Sequence, residues 1–352
     1  MSNDKKTDIR TFSLEELKTF FTELGEKPFR AKQVYEWLWK KSAHSFDEMT
    51  NLSKELREKL NDRCVINGIT LADQQISSDR TIKSAFKLVD GPVVEGVLIP
   101  TSSRMTACIS SQVGCSLTCK FCATGRLKRM RNLNADEIYD QVVFLRNQSV
   151  ENYNIPLSNI VYMGMGEPLL NYKNTLASVE KITSEDGLGM SPKRITISTA
   201  GIAKMIQKLG DDEVKFNLAL SLHAANDEKR SHIMPINEQN SLDALAEALK
   251  YFHEKTGTRV TYEYIIFKDF NDKIEDAKEL AQFCKHVPCK VNIIEYNPID
   301  DGEFKQADPR KVDAFAAYLE SKNIVVNVRR SRGKDIDAAC GQLANKNKAV
   351  SV

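Results

Sequence analysis

Apolar residues recur at helical spacing through the first sixty positions, and then the period changes. Ser13 and Glu16 form a capping-box pair that opens SLEELKTFFTELG, and Gly25 ends it. Phe29–Lys41 repeats apolar residues at Val34, Trp37 and Leu38, and Leu52–Leu60 gives a third helix. From Ile66 to Pro100 the pattern turns to strands: ITLADQQIS, TIKSAFKLVD, and VVEGVLIP after the turn signal Asp90-Gly91-Pro92. These read as a small sheet linking a helical head to the main body.

The remainder alternates strand and helix. Strands are predicted at 105–112, 160–166, 194–199, 216–223, 259–267, 290–298 and 324–330. Between them lie helical stretches at Ala135–Asn147, Tyr172–Ser184, Ile202–Leu209, Ser241–Glu254, Lys273–Lys285 and Pro309–Ser321. Short apolar strands alternating with helices specify a parallel sheet with helices outside. Six such units before a terminal strand predict an α/β fold, a (β/α)6 partial TIM barrel. The expected division is an N-terminal helical domain at 1–75, a β linker at 76–100, and a core at 101–352. Sites in such sheets lie at the carboxyl ends of the strands.

Composition adds little to this picture. A hydrophobic fraction of 41% and a charged fraction of 28% over 352 residues describe an ordinary globular chain with a sizeable core. The net charge of +2 means that a polyanionic partner would have to use local patches. Met1–Arg10 has no apolar h-region, and no apolar run approaches the ~20 residues of a membrane span, so a cytoplasmic location without a membrane is expected. Clustered thiols in that compartment point to metal or catalysis rather than a disulfide framework. Cys64, Cys284 and Cys289 have apolar neighbours and read as small core residues.

The candidate chemistry centres on ACISSQVGCSLTCKFCATGR, residues 107–126. Cys115, Cys119 and Cys122 make a C-x3-C-x2-C run, with Cys108 seven residues upstream. Three thiolates on one loop leave a metal position open, where metals do chemistry. The alternative is a zinc knuckle completed by Cys108 or a distant His. Gly164 and Gly166 begin like a dinucleotide fingerprint, but position 169 is Leu, so a phosphate cradle is a poor reading. Glu167, offered after small residues, suits an ammonium group or caps a tight turn. Ser198, Ser221, Leu222, His223 and Asn297 share one rim at strand ends; each alone is an ordinary turn residue or cap. Glu95 sits among Val93, Val94, Val97 and Leu98, either as a costly buried carboxylate or on an edge strand reaching water. Cys340 follows the basic run Arg329, Arg330, Arg332 and Lys334, the setting of a reactive thiolate in a mobile tail. That run could meet RNA phosphates, as could Arg126, Lys128, Arg129 and Arg131. In FRAKQVYEWLWKK, basic residues interleave with aromatics, which suits nucleic acid or a helix with one solvated face.

The cysteine spacing, with Phe121 before the last thiol, resembles the radical S-adenosylmethionine (SAM) superfamily. VEGVLIP, CISSQVGC-x3-C-x2-CATG, GMGEPLLN, ISTAG, SLHA-x-ND, EYNP and RGKDIDAACGQLA extend the likeness over nearly the whole chain, to the dual-specificity RNA adenine-C2 methyltransferases. The resemblance implies a [4Fe-4S] cluster on Cys115, Cys119 and Cys122. It implies SAM, two per turnover, held by Gly166, Glu167, Ser198, Ser221, Leu222, His223 and Asn297. It makes Cys340 the methyl carrier, Cys108 its disulfide partner and Glu95 the proton acceptor. The implied partners are 23S rRNA and tRNA and an electron donor such as flavodoxin, with the enzyme a monomer. Sister enzymes that methylate carbon 8 share the cluster and both thiols; the GMGEPLLN and VEGVLIP contexts favour carbon 2. A rival from another class is a non-catalytic RNA-binding protein built on a zinc knuckle.

Overall fold

The computed structural model describes residues 6–346. Three helices form the head: α1 (Leu14–Glu23), α2 (Phe29–Trp39) and α3 (Lys54–Arg63). The capping box forms as expected, Ser13 and Glu16 each accepting the other's backbone N–H. The strands that follow do not make a separate linking sheet. β1 (Thr70–Ile76), β2 (Ile82–Lys87) and β3 (Val93–Pro100) continue antiparallel into β4 (Met105–Cys108). Six more strands follow in parallel: β5 (Asn159–Tyr162), β6 (Ile195–Thr199), β7 (Asn217–Ser221), β8 (Val260–Ile266), β9 (Cys289–Glu295) and β10 (Val325–Arg329). All ten belong to one sheet, in which each strand pairs with its predecessor in the chain.

Helices connect the parallel strands: α4 (Ala135–Tyr153), α5 (Tyr172–Thr183), α6 (Ala203–Asp211), α7 (Asp227–Ile233), α8 (Leu242–Thr256), α9 (Ile274–Phe283) and α10 (Pro309–Glu320). The six β/α units are therefore present, with β10 as the terminal strand. One face of the sheet packs on these helices: Tyr262 lies against Phe283 of α9 and Tyr264 against Phe315 of α10, ring centroids 5.4 Å apart in both pairs. By the pleat of a strand, Glu263 between them faces the other way, into the concave side.

Helix α7 has no counterpart among the expected helical stretches, and two further elements depart from the sequence pattern. The strand predicted at 105–112 leaves the sheet after Cys108, because Gln141 of α4 captures the main chain of Ser110 on both its N–H and its carbonyl. Helix α4 runs past Asn147 to Tyr153, where polar Gln148 is buried and bonds Gln74 and Ser84 of the neighbouring strands.

The head and the core share one continuous apolar cluster. Arg10 is buried and donates to Asp140 at 2.7 Å and Asp136 at 3.1 Å, both on α4. Trp39 stacks edge-on against Tyr139 of α4 at 5.1 Å, and Tyr139 donates its hydroxyl to the Trp39 carbonyl. At the other end, the chain after β10 crosses back to the opposite margin of the sheet. Asp335 accepts from Ser77 and Ser78, Gly333 donates to Asp79, and Ala344 and Asn345 donate to Glu95. This segment is docked rather than free, and it bridges the margins that β1 and β10 leave unpaired.

Candidate active site

The carboxyl ends of the parallel strands converge on the concave face. Ser221, Glu263, Asn292 and Asn327 are successive partners in register across β7, β8, β9 and β10. Their side chains form a polar row: Asn292 donates to Glu263 at 2.7 Å, and Asn327 to Asn292 at 3.2 Å. Ser198 of β6 extends it, its hydroxyl 3.3 Å from that of Ser221. Burying such groups is costly unless they are matched, and two atoms are not. Oε2 of Glu263 and Oδ1 of Asn297 are buried without a hydrogen-bond partner. Among the residues of the rim, these are the atoms that ask for a ligand.

The turn after β5 supplies Gly166 and Glu167. Gly166 has φ of +96°, and a Cβ there would lie 2.5 Å from Cβ of Gln112, so the approach of this turn to the cysteine loop needs glycine. Glu167 is buried and its carboxylate accepts from Leu169 at 3.0 Å and Ala200 at 2.7 Å, which ties the β5 and β6 ends together. The turn-cap reading is thus realised; each oxygen keeps a lone pair for an ammonium group. Burial raises its pKa and these N–H donors oppose the rise.

His223 is sealed. Its Nδ1 accepts from the Ile265 N–H at 3.1 Å and its ring stands edge-on to Phe121 at 4.7 Å. Burial, then the nearby Arg230, depress its pKa to about 3, so the ring is neutral with its proton on Nε2. Leu222 contributes main chain: its N–H donates to the Glu263 carbonyl and its carbonyl accepts from Arg230.

The cysteine loop packs over this rim. Burial pushes the Cys115 thiol up to about 11, with Cys122 and Glu167 adding to it, and raises Cys119 further, with Cys122 and Cys115 adding. Three thiols that resist ionising together need a cationic centre to become thiolates. Among the described residues no group of three His, Cys, Asp or Glu side chains is arranged to hold a metal ion. The donor set fits a three-cysteine cluster, and the partnerless Asn297 and Glu263 oxygens fit a polar ligand beside it.

The C-terminal segment brings in Cys340. Ala123 donates to the Gly341 carbonyl at 2.7 Å, Thr124 to the Leu343 carbonyl at 2.6 Å, and Asn297 to the Cys340 carbonyl at 3.2 Å. Cys340 is solvent-accessible, yet the protein around it and then Glu263 raise its thiol pKa, and only Arg329 of the basic run opposes this. The expected thiolate setting is not found, because the other cations are engaged elsewhere. Arg330 and Lys334 pair with Glu295, and Arg332 donates to the Asp79 carbonyl. Cys108, buried at the end of β4, has its thiol pKa raised by burial and then by Cys340, and both thiols are free.

Glu95 is buried on an interior strand, which excludes the edge-strand reading. Its partner is Lys83, buried with it, at 3.6 Å, and its Oε2 takes the Ala344 and Asn345 N–H groups. Ser110 links it to the β5 turn, donating to the Glu95 carbonyl at 2.6 Å and accepting from Met165. Arg131 is not available for phosphate: Asp90 and Glu137 hold it on two sides. Sequence reasoning missed Glu263, Lys83, Arg230, Gln112 and Ser110. Glu263 carried a usable signal, a carboxylate in an apolar strand like Glu95; the others carried none.

Comparison with known proteins agrees with this geometry. Residues 7–66 match the ribosomal RNA large subunit methyltransferase N-terminal domain, and residues 109–284 match the radical SAM superfamily. A dual-specificity RNA methyltransferase RlmN from Nitratidesulfovibrio vulgaris is 46% identical, covering 96% of this chain and 94% of that one. A protein of Christiangramia forsetii named as a probable dual-specificity RNA methyltransferase RlmN is 63% identical over 97% of both chains. The crystal structure of a radical SAM methyltransferase from Sphaerobacter thermophilus superposes with a TM-score of 0.90 at 38% identity, covering 96% of this chain and 99% of that one.

Proposed function

The chain belongs to the RlmN family of radical SAM RNA methyltransferases, and from that premise we propose that it methylates carbon 2 of an adenosine in 23S rRNA and in tRNA. The observation that carries the reading is that Ala123, Thr124 and Asn297 hold the Cys340 segment against the three-thiol loop, beside the rim with the partnerless Asn297 and Glu263 oxygens.

Cys115, Cys119 and Cys122 would hold the [4Fe-4S] cluster, and Gly166, Glu167, Ser198, Ser221, Leu222, His223 and Asn297 would line SAM, two molecules serving each turnover. When bound, these groups supply a carbon-centred radical, a reagent suited to a ring carbon that is electron-poor and has no lone pair. The protein's own residues do the rest. Cys340 carries the methyl group on sulfur and, once its carbon is joined to the adenine, tethers the RNA as a thioether. Glu95 takes the proton from carbon 2, with Lys83 beside it as the counter-charge. The Cys108 thiol then attacks the Cys340 sulfur: the S–C bond breaks with its electron pair on carbon, the thiol's proton goes to that carbon to complete the methyl group, and a Cys108–Cys340 disulfide remains to be reduced. Neutral His223 cannot exchange protons near pH 7; it shapes the pocket wall. An electron donor such as flavodoxin would reduce the cluster, and the enzyme would act in the cytoplasm as a monomer.

The deciding experiment is reaction of anaerobically reconstituted protein with a defined rRNA fragment and with tRNA, followed by mass analysis of the modified nucleoside. 2-Methyladenosine is expected in both. A methyl group on carbon 8, or none from protein that holds iron and sulfide, would overturn the assignment.

A further inference from the structure

Helix α7 carries an arginine for which the reaction described above has no use. Arg230 is wholly buried, and all its hydrogen bonds go to neutral groups. Nη2 donates to the carbonyls of Ala200 at 2.6 Å and Ser221 at 3.3 Å, Nε to that of Leu222 at 3.2 Å, and Nη1 to the side chain of Asn237 at 2.6 Å. No ion pair to it is present among the described residues; Asp227 is linked to it by hydrogen bonds through Asn237, whose amide donates to Asp227 at 2.7 Å, and acts on it only from beyond contact. An interior cation without a carboxylate is expensive to keep, and burial lowers this guanidinium to about 10, still charged at pH 7.

What faces this charge is the cysteine loop. The carbonyl of Ile233, one turn further along α7, accepts from the Lys120 N–H at 3.0 Å, and Lys120 follows Cys119 directly. Phe121 rests on His223, the residue after Leu222. The helix, the ends of β6 and β7, and the loop are therefore one packed unit, and the guanidinium ties the helix to the strand ends within it. Cys119 acts on Arg230 more strongly than Asp227 does, and Arg230 in return favours the ionised form of Cys119.

We propose that Arg230 is a positioning residue that serves as the fixed counter-charge of the cysteine loop and so sets the reduction potential of the cluster held there. The inference rests on the cluster assignment made above. A cluster on three thiolates is net negative and gains another negative charge on reduction. A cation held in a low-dielectric site favours the reduced state, and removing it lowers the potential. The same fork binds the carbonyls of Ala200, Ser221 and Leu222, so it also holds the strand ends that wall the pocket.

The test is an anaerobic redox titration of the reconstituted protein, followed by electron paramagnetic resonance, with Arg230→Gln, Arg230→Met and Arg230→Lys. At the parent's midpoint the charge-removing Gln and Met variants should show a reduced-to-oxidised ratio at least tenfold lower, which for a one-electron couple is about 59 mV. Arg230→Lys keeps the charge without the fork; its ratio should stay within about threefold of the parent while its SAM affinity falls. A purely structural role would move SAM affinity in all three variants and leave the potential alone. Parent-like potentials in the loaded Gln or Met variant would overturn the inference, as would a Lys variant shifted as far as they are. Should neither charge-removing variant load, a shifted potential in the Lys variant sinks it. A parent protein that binds no iron and sulfide would instead overturn the cluster assignment, and the two failures are distinguishable.

Discussion

At His223 the backbone takes φ of +56°, and a buried ring accepts a main-chain N–H. Its pKa falls from 6.5 to about 3 on folding, so the unfolded chain binds a proton that the folded chain refuses. The stabilising contribution is complete above pH 6.5 and is lost as pH falls from there toward 3. His223→Asn tolerates the left-handed backbone and keeps an acceptor for Ile265. Its denaturant-measured stability should lack the decline of about 1.4 kcal/mol per pH unit that His223 adds below pH 6.5; an unchanged acid slope would show that the ring is protonated in the native state. The two outer thiols divide differently. Cys340→Ala should bind SAM and RNA yet transfer nothing, whereas Cys108→Ala should stall with RNA attached. A denaturing gel separates them, and covalent RNA in Cys340→Ala would reverse the roles. The sequence exposed Ser198, Ser221 and Asn297 because polar residues at apolar strand ends stand out. It hid Arg230, because an arginine in a polar helix looks solvated until the fold buries it.

Helix α2 shows how far a periodic pattern reads. The helix in FRAKQVYEWLWKK has one core face and one solvated face. Val34, Tyr35, Leu38 and Trp39 are buried, while Phe29, Lys32, Lys40 and Lys41 are exposed. On the solvent side Lys41 lies over the Trp37 ring at 3.7 Å and Arg30 over Phe29 at 4.9 Å, a surface of cations on aromatic planes. If this face meets RNA, Arg30→Glu with Lys41→Glu should weaken RNA binding about tenfold and reduce the salt slope by about two, with SAM binding unchanged. Equal affinity at low salt would leave α2 a mere solvated surface. Helix α7 was illegible for a different reason. It spans seven residues, Asp227–Ile233, too few to display a period, and its Asn226 cap looks like any turn residue.

At the scale of the molecule, local pattern gave the six β/α units but not how the chain closes on itself. Such closure depends on contacts between residues more than two hundred positions apart, which no local period encodes. The head illustrates one consequence. A chain begun at Asp73 would lose Arg10 and Trp39, strand Asp136 and Asp140 without their cation, and bare Tyr139, so it should unfold well below the intact protein in a thermal melt. A parent-like melting temperature would show that the head is an independent unit. The C-terminal segment illustrates the other. Asp335 accepts from Ser77 and Ser78 at the β1–β2 turn, while Glu95 accepts from Ala344 and Asn345 beyond Cys340. Cys340 is thus suspended between two anchors, one on the surface and one inside. The outer anchor is exposed and can be released without opening the core. Asp335→Ala should leave helix content and cluster loading unchanged, yet speed tryptic cleavage within Arg329–Lys334 severalfold. It should also slow product formation, since Cys340 loses its fixed place against the cysteine loop. Cleavage at the parent's rate would mean that the Glu95 contacts hold the segment alone, and the outer anchor would then have no part in placing Cys340.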